Sequence, residues 1–301
     1  MLWVACGLGL CVGSFCNVVI HRLPRGGLGT GGSRSRCPRC EARIGWRDNV
    51  PVVSFLLLRG CCRHCGDRIG WRYPVVESLT AMLFVLTAAR IHDLEALVIA
   101  IAMTVFVVAS FIDLEHRILP DSLTLPWAVV FVAASAVLPE LQAGHWLAGE
   151  GSVAGAVAAS VAGCLGAVAT VAAVRSMGTV MFRKRLRAEG LQEAMGLGDV
   201  KFAATFGALL GLPGAWWAFL LAIVTGAVVG VAGIAVVAGR SLVGGSGLAS
   251  AWRIGRAKGG VIPFGPFLAA GAASCLLFEH EIHDFLTRDW PHWVAGRLGG
   301  G

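Results

Sequence analysis

Long apolar segments recur along the whole chain and are separated by stretches that carry most of its charge. A helix needs roughly 20 apolar residues to cross a hydrocarbon core of about 30 Å. Backbone groups in lipid must find their hydrogen bonds within the segment, so each apolar run is expected to be helical. Only 14% of the residues are charged, against about 25% in typical soluble domains. The sequence therefore predicts an all-α polytopic membrane protein.

We predict about eight transmembrane helices, with boundaries accurate to a few residues. Their ranges are 2–20, 74–90, 94–112, 120–138, 152–175, 200–212, 215–239 and 261–278. The sixth is short for a full crossing, and Pro213 with Gly214 marks the turn after it. The chain then divides into a first span at 1–20, a loop at 21–73 and a helical membrane domain at 74–301.

Positive charge lies almost entirely on one side of the predicted membrane. Loop 21–73 alone holds eleven arginines, and if it is cytoplasmic, 22 of the 25 Lys and Arg residues share its side. This positive-inside pattern predicts that both termini lie outside. We interpret the basic runs in loops 176–198 and 240–260 as topology determinants that contact lipid headgroups, and we expect no nucleic-acid partner.

Loop 21–73 contains an internal repeat of 25 residues. CPRCEARIGWR, starting at Cys37, recurs as CRHCGDRIGWR, starting at Cys62. Each CxxC turn presents two thiolates, and two such turns complete the tetrahedral set of a structural zinc site. The predicted ligands are Cys37, Cys40, Cys62 and Cys65. Cys61 and His64 are competing ligands, and a redox or disulfide pair is the alternative to zinc.

Two aspartates stand where apolar segments end. Asp113 follows the third predicted span, and Asp199 precedes the sixth, so the topology places both at the cytoplasmic face. Paired carboxylates that share one proton can perform acid and base chemistry. The structural alternatives are that Asp113 is neutralised by Arg117 or His116 and that Asp199 caps a helix. Asp121 and Glu115 compete with Asp113 for the catalytic role.

Several motifs together resemble those of the bacterial type IV prepilin peptidases, which are GxGD-type aspartic proteases of the membrane edge. Residues 13–24 (GSFCNVVIHRLP) are similar to the family's N-terminal signature, and the two CxxC turns are similar to its zinc loop. The remaining similar segments are residues 49–51 with Ser54, 72–77, Asp113 with 120–121, 196–201 (GLGDVK) and 262–267. The likeness runs over nearly the whole length.

The resemblance implies an activity. Family members remove a short positively charged leader from type IV prepilins or type II secretion pseudopilins at the bacterial inner membrane. Many then methylate the new N-terminus with S-adenosylmethionine. By this likeness Asp113 and Asp199 would be the catalytic pair. Methylation would involve the N-terminal region, with a cofactor site drawn from Gly13, Asn17, Arg22 and Glu77.

Three alternatives remain open from the sequence. The first is a peptidase of the same fold that does not methylate. The second is a membrane transporter that uses Asp113 and Asp199 as ion sites, although transport favours ionisable residues near the middle of the bilayer. The third is a zinc-anchored assembly scaffold, which would not need the aspartates.

Overall fold

The computed structural model describes residues 1–26, 36–37, 39–142, 152–188, 190, 192–243, 263–278, 281–282 and 285. Over these residues the chain is helical, and its only strand-like pairing is two isolated backbone bridges in the cysteine loop. The all-α prediction is therefore confirmed. The chain forms two compact units, Met1–Leu123 and Thr124–Gly301.

The first unit holds four helices and the first turn of a fifth, and the later helices belong to the second unit. In chain order the helices are α1 Leu2–Arg22, α2 Val53–Leu57, α3 Arg72–Arg90, α4 Asp93–His116, α5 Asp121–Val137, α6 Val153–Met181, α7 Arg183–Ala188, α8 Leu197–Val243 and α9 Gly265–Leu277. Single 3-10 turns lie at Leu23–Arg25, Trp46–Asn49 and Pro139–Gln142.

Four helical segments of the described chain are long and apolar enough to cross a membrane. They are Leu2–Arg25, Asp93–His116, Val153–Met181 and Leu197–Gly239, while α5 and α9 are shorter apolar helices. Each predicted span coincides with helix, except that residues 261–262 and much of the basic loop 240–260 lie outside the described residues. Length and composition thus support a multi-span protein, and the count of eight spans stays a prediction.

In the first unit, α1 packs closely on α3 through glycine. A side chain at Gly9 would bring a Cβ within 2.6 Å of Ala81 Cα, and one at Gly13 would lie 2.7 Å from Glu77 Cα. Small residues let helix backbones approach, which supports association where lipid removes the hydrophobic driving force. Gly13 is therefore needed for the contact between the two helices.

The long helix α8 is broken at Gly211. This residue has φ 62° and ψ −176°, so the backbone leaves the helical path there. The break precedes the predicted turn at Pro213 and Gly214 by two residues. Only glycine takes this positive φ easily. Pro213 has no backbone N–H, but the first turn of a helix leaves its N–H groups without a helical acceptor, so proline fits the first turn of the next segment.

Side chains from neighbouring elements satisfy the carbonyls that this break releases. Gln142 Nε2 donates to the carbonyls of Ala208 at 3.1 Å and Leu209 at 3.0 Å, and Ser160 Oγ donates to Ala208 at 2.7 Å. Carbonyls at a helix end need such partners when they are buried. These hydrogen bonds therefore fix the end of the short helical segment 197–210.

Gly163 and Gly233 offer a matched test of this packing. A Cβ at Gly163 would lie 2.5 Å from Gly211 Cα, whereas one at Gly233 would meet nothing within 4 Å. We expect Gly163→Ala to destabilise the protein by about 1–3 kcal/mol through overpacking. Gly233→Ala should be neutral or stabilise it by up to about 1 kcal/mol through helix propensity. Thermal unfolding in detergent measures both, and equal effects would contradict the close packing of α6 on α8.

Candidate functional site

The structure brings four thiols of the cysteine loop into one cluster. The Sγ atoms of the four predicted ligands all lie within 4.8 Å of one another, and Cys37 and Cys65 are 3.9 Å apart: the set is Cys37, Cys40, Cys62 and Cys65. Tetrahedral zinc with Zn–S bonds of about 2.3 Å separates its sulfurs by roughly 3.8 Å. Cys61 lies outside the cluster, and its Sγ instead contacts the Arg59 carbonyl at 3.7 Å. The geometry therefore favours Cys62 over Cys61.

The sequence repeat is also a repeat of backbone structure. In the first copy Glu41 N donates to Cys37 O and Cys37 N donates to Ala42 O, both at 3.0 Å. In the second copy Gly66 N donates to Cys62 O at 2.9 Å and Cys62 N donates to Asp67 O at 2.8 Å. Each CxxC turn is thus closed by the same pair of hydrogen bonds, which holds its two thiols side by side.

Hydrogen bonds and crowding give these thiols different proton affinities. Backbone N–H groups of Cys40 and Arg39 lower the pKa of Cys37 to about 7. At Cys65 the backbone N–H of Asp67 lowers the pKa, but desolvation and the three neighbouring thiols outweigh it and raise the pKa to about 12. A cation is needed for all four sulfurs to be thiolates together. Metal binding at neutral pH must therefore release protons.

The two copies differ at the residue that closes each turn. Glu41 has φ 55° and Gly66 has φ 69°, so both occupy the left-handed region. A residue with a Cβ pays about 1–2 kcal/mol there relative to its right-handed form. We expect Glu41→Gly to stabilise the metal-bound loop and Gly66→Ala to destabilise it. Competition with a chromophoric chelator measures both, and a Gly66→Ala loop that holds metal as tightly as wild type would contradict the shared turn geometry.

Three of the residues predicted for cofactor binding meet between α1 and α3. Asn17 is 3% exposed, and its Nδ2 donates to the Tyr73 carbonyl at 3.2 Å while its Oδ1 has no partner among the described residues. Glu77 lies on α3, is buried, and packs directly against Gly13 of α1. Its Oε2 accepts from Val52 N at 2.8 Å, which ties the cysteine loop to α3. Arg22 ends α1 and is half-buried.

Asp113 is more buried than either of its rivals. It is 6% exposed in the last turn of α4, and the helix ends when Arg117 adopts φ 56°. Asp121, at the start of α5, is exposed. Glu115 accepts from Arg72 Nη1 with both oxygens, at 2.8 and 2.7 Å. Glu115 thus has a structural role, joining α4 to α3.

Asp199 lies in the first turn of α8 and is 8% exposed. A Cβ built on Gly196 would lie 3.4 Å from Asp199 Oδ2, so glycine avoids a tight contact with the carboxylate there. Asp113 belongs to the first unit and Asp199 to the second. Both predicted catalytic carboxylates are therefore buried at the ends of apolar helices, which is costly unless the charge has a function.

Contacts between residues that are far apart in the chain were not predicted from the sequence. Arg63, inside the second CxxC turn, donates to both oxygens of Asp48 through Nε and Nη2. This guanidinium lowers the pKa of Asp48. The Glu77–Val52 bond was missed too. Asp48 is one of few carboxylates in an arginine-rich loop, which indicates an ion pair but does not identify the arginine.

The helices and the thiol cluster define a multi-span membrane protein with a loop whose four clustered thiols could hold a metal ion. Residues 8–91 match the model of the Bacterial Peptidase A24 N-terminal domain, and residues 100–231 match that of the Type IV leader peptidase family. No solved structure matches the chain.

Curated relatives agree with these matches, and each is called "Prepilin leader peptidase/N-methyltransferase". The protein of Burkholderia pseudomallei is 34% identical over 90% of this chain and 83% of its own length. That of Dichelobacter nodosus is 31% identical over 91% and 90%. That of Myxococcus xanthus is 36% identical over 74% of this chain, and the match covers 60% of that relative. The chain belongs to the type IV prepilin leader peptidase family.

Proposed function

We propose that this protein is a membrane aspartic endopeptidase that removes the leader from type IV prepilins or type II secretion pseudopilins and methylates the new N-terminus. The observation that carries the proposal is the burial of Asp113 and Asp199 at the ends of apolar helices, both within the segment 100–231 that matches the family. A multi-pass inner-membrane protein can act there on a substrate that is itself anchored in the membrane.

The two carboxylates divide the acid and base work of peptide hydrolysis. One is ionised and takes a proton from the attacking water, while the other is protonated and donates a hydrogen bond to the scissile carbonyl. The proton then passes to the leaving amine as the C–N bond breaks. A helix N-terminus stabilises a negative charge and a C-terminus does not, which favours Asp199 as the ionised partner and Asp113 as the acid.

The residues between α1 and α3 fit part of S-adenosylmethionine, which supplies the methyl group when it is bound. The Oδ1 of Asn17 is a buried acceptor without a partner among the described residues. An amine or hydroxyl group of a ligand would donate a hydrogen bond to it. Glu77 provides a buried carboxylate that suits a cationic group. We propose that Gly13 keeps these two side chains in place and that Arg22 contributes at the end of α1.

Zinc fits the cluster of four thiols through its donor set and spacing. Four thiolates complete a tetrahedral shell and leave no position for a reacting water, so the metal would be structural. Its role would be to fold loop 21–73, whose residue Val52 contacts Glu77. We propose that this loop is cytoplasmic, that both termini lie outside, and that the basic loops contact anionic lipid and not nucleic acid.

Transport is less consistent with the described residues. Asp113 lies in the last turn of α4 and Asp199 in the first turn of α8, so neither is near the middle of its helix. Ion pathways place their ionisable residues deeper in the bilayer.

The test is direct. The purified chain in lipid nanodiscs is incubated with a prepilin or a pseudopilin, with and without S-adenosylmethionine, and the products are analysed by mass spectrometry. We expect a new N-terminus after the leader, and a mass increase of one methyl group only when the methyl donor is present. An intact substrate would contradict the peptidase proposal, and cleavage without methylation would leave a peptidase alone.

A further inference from the structure

The segment just before the GLGD motif is bound to α6 at three successive residues. Glu193 forms an ion pair with Arg175, and the Met195 carbonyl accepts from Arg175 Nε at 3.1 Å. Between them, Ala194 N donates to Thr179 Oγ1 at 3.1 Å. One guanidinium and one hydroxyl, a helical turn apart, therefore hold the backbone that leads into Asp199.

Arg175 is the only charged residue of α6, which is otherwise an apolar helix of 29 residues. Its side chain is 20% exposed. Arg175 is the last residue of the predicted span 152–175, and a cation at the edge of an apolar segment is costly unless it is solvated, paired or used. Both partners of Arg175 lie in residues 193–195, and charge-assisted hydrogen bonds are the strong and directional ones. Among the described residues, the charge is thus paired at the entry to α8.

The packing of α6 on α8 does not depend on this contact. Gly163 and Gly207 bring the two helices together, and Ser160 bonds to Ala208 near the other end of the short segment. Loss of Arg175 should therefore leave the helices packed while releasing the segment 193–196. That separates local positioning from global stability.

We propose that Arg175, assisted by Thr179, is a positioning residue for Asp199. By fixing residues 193–195 on α6, it sets where α8 begins and where the Asp199 carboxylate is presented. The inference rests on the proposed function, because it takes Asp199 as catalytic. Displacing a catalytic group by about 1 Å can cost about 100-fold in rate.

The experiment compares Arg175→Met, Arg175→Lys and Thr179→Val with two matched controls in the nanodisc cleavage assay. Arg183→Met removes an arginine just beyond α6, and Thr225→Val removes an exposed threonine that makes the same bond to its own helix. We expect kcat to fall about 10- to 100-fold for Arg175→Met and less for Thr179→Val, with KM unchanged. Arg175→Lys should recover part of the loss, since it keeps the charge opposite Glu193 but not the forked geometry. Both controls should match wild type.

Hydrogen exchange supplies a readout that activity does not. The amides of residues 194–198 should exchange faster in Arg175→Met, while the rest of α8 and the thermal midpoint stay unchanged.

If Asp199→Asn is inactive, a wild-type kcat in Arg175→Met, or a change confined to KM, would overturn the inference. If Asp199→Asn still cleaves, the proposed function itself fails. Should Arg175→Met not fold, Glu193→Gln and Thr179→Val carry the same test, and wild-type kcat in both would overturn it.

Discussion

Leader removal should be lost when either Asp113 or Asp199 is replaced by Asn. Asparagine keeps the shape of the side chain but can neither take a proton from water nor give one to the leaving amine. Positioned acids and bases contribute about 10²–10⁴-fold each, and residues that act as one unit lose most of the activity together. We therefore expect kcat to fall about 10³-fold or more in each single variant, and little further in the double variant.

Two carboxylates near Asp113 in sequence serve as its controls. Asp121 is exposed, so Asp121→Asn should cleave at nearly the wild-type rate. Glu115→Gln loses charge in the contact to Arg72 and should lower stability more than kcat. The measurement is the initial rate of leader removal by the purified variants, with folding checked by thermal unfolding. Retained cleavage in Asp113→Asn or Asp199→Asn would contradict the proposed pair, and loss in Asp121→Asn alone would transfer the role.

The helices could be predicted because the lipid solvent leaves few choices. An apolar run of about 20 residues must be helical, and charge marks where it ends. The break in α8 was placed two residues late because Pro213 and Gly214 are strong turn signals, whereas Gly211 is one of many glycines in the chain. Its special role depends on the carbonyls bonded by Gln142, a residue distant in sequence.

The site was predictable where the chemistry is local. The CxxC spacing identified all four clustered thiols, since each turn is closed by bonds within six residues. Contacts such as Arg175 with Met195 or Glu115 with Arg72 depend on how a helix is rotated against its neighbour. A single arginine in an apolar helix indicates that the residue has a function, but it does not identify the residue that the arginine contacts. These contacts could therefore be found only in the structure.

Removing one cysteine of the cluster should remove the metal, and the chain holds its own control one residue away. Cys62 lies in the cluster, whereas Cys61 contacts the Arg59 carbonyl. Structural zinc sites bind with apparent free energies of about 10–16 kcal/mol, and this energy also folds the loop. We expect Cys62→Ser to lose bound zinc, measured by elemental analysis of the purified protein, and Cys61→Ser to retain it. Loss in Cys61→Ser with retention in Cys62→Ser would reverse the ligand assignment.

The same pair of variants separates the two proposed activities. Loop 21–73 has little apolar core of its own, since Trp46 is 76% and Trp71 74% exposed, so it should lose its fold together with the metal. Val52 would then no longer donate to Glu77, whereas Asp199 belongs to the second unit. Methyl transfer by Cys62→Ser should therefore fall by a larger factor than leader removal. An equal loss of both activities would mean that the zinc loop supports cleavage as directly as methylation.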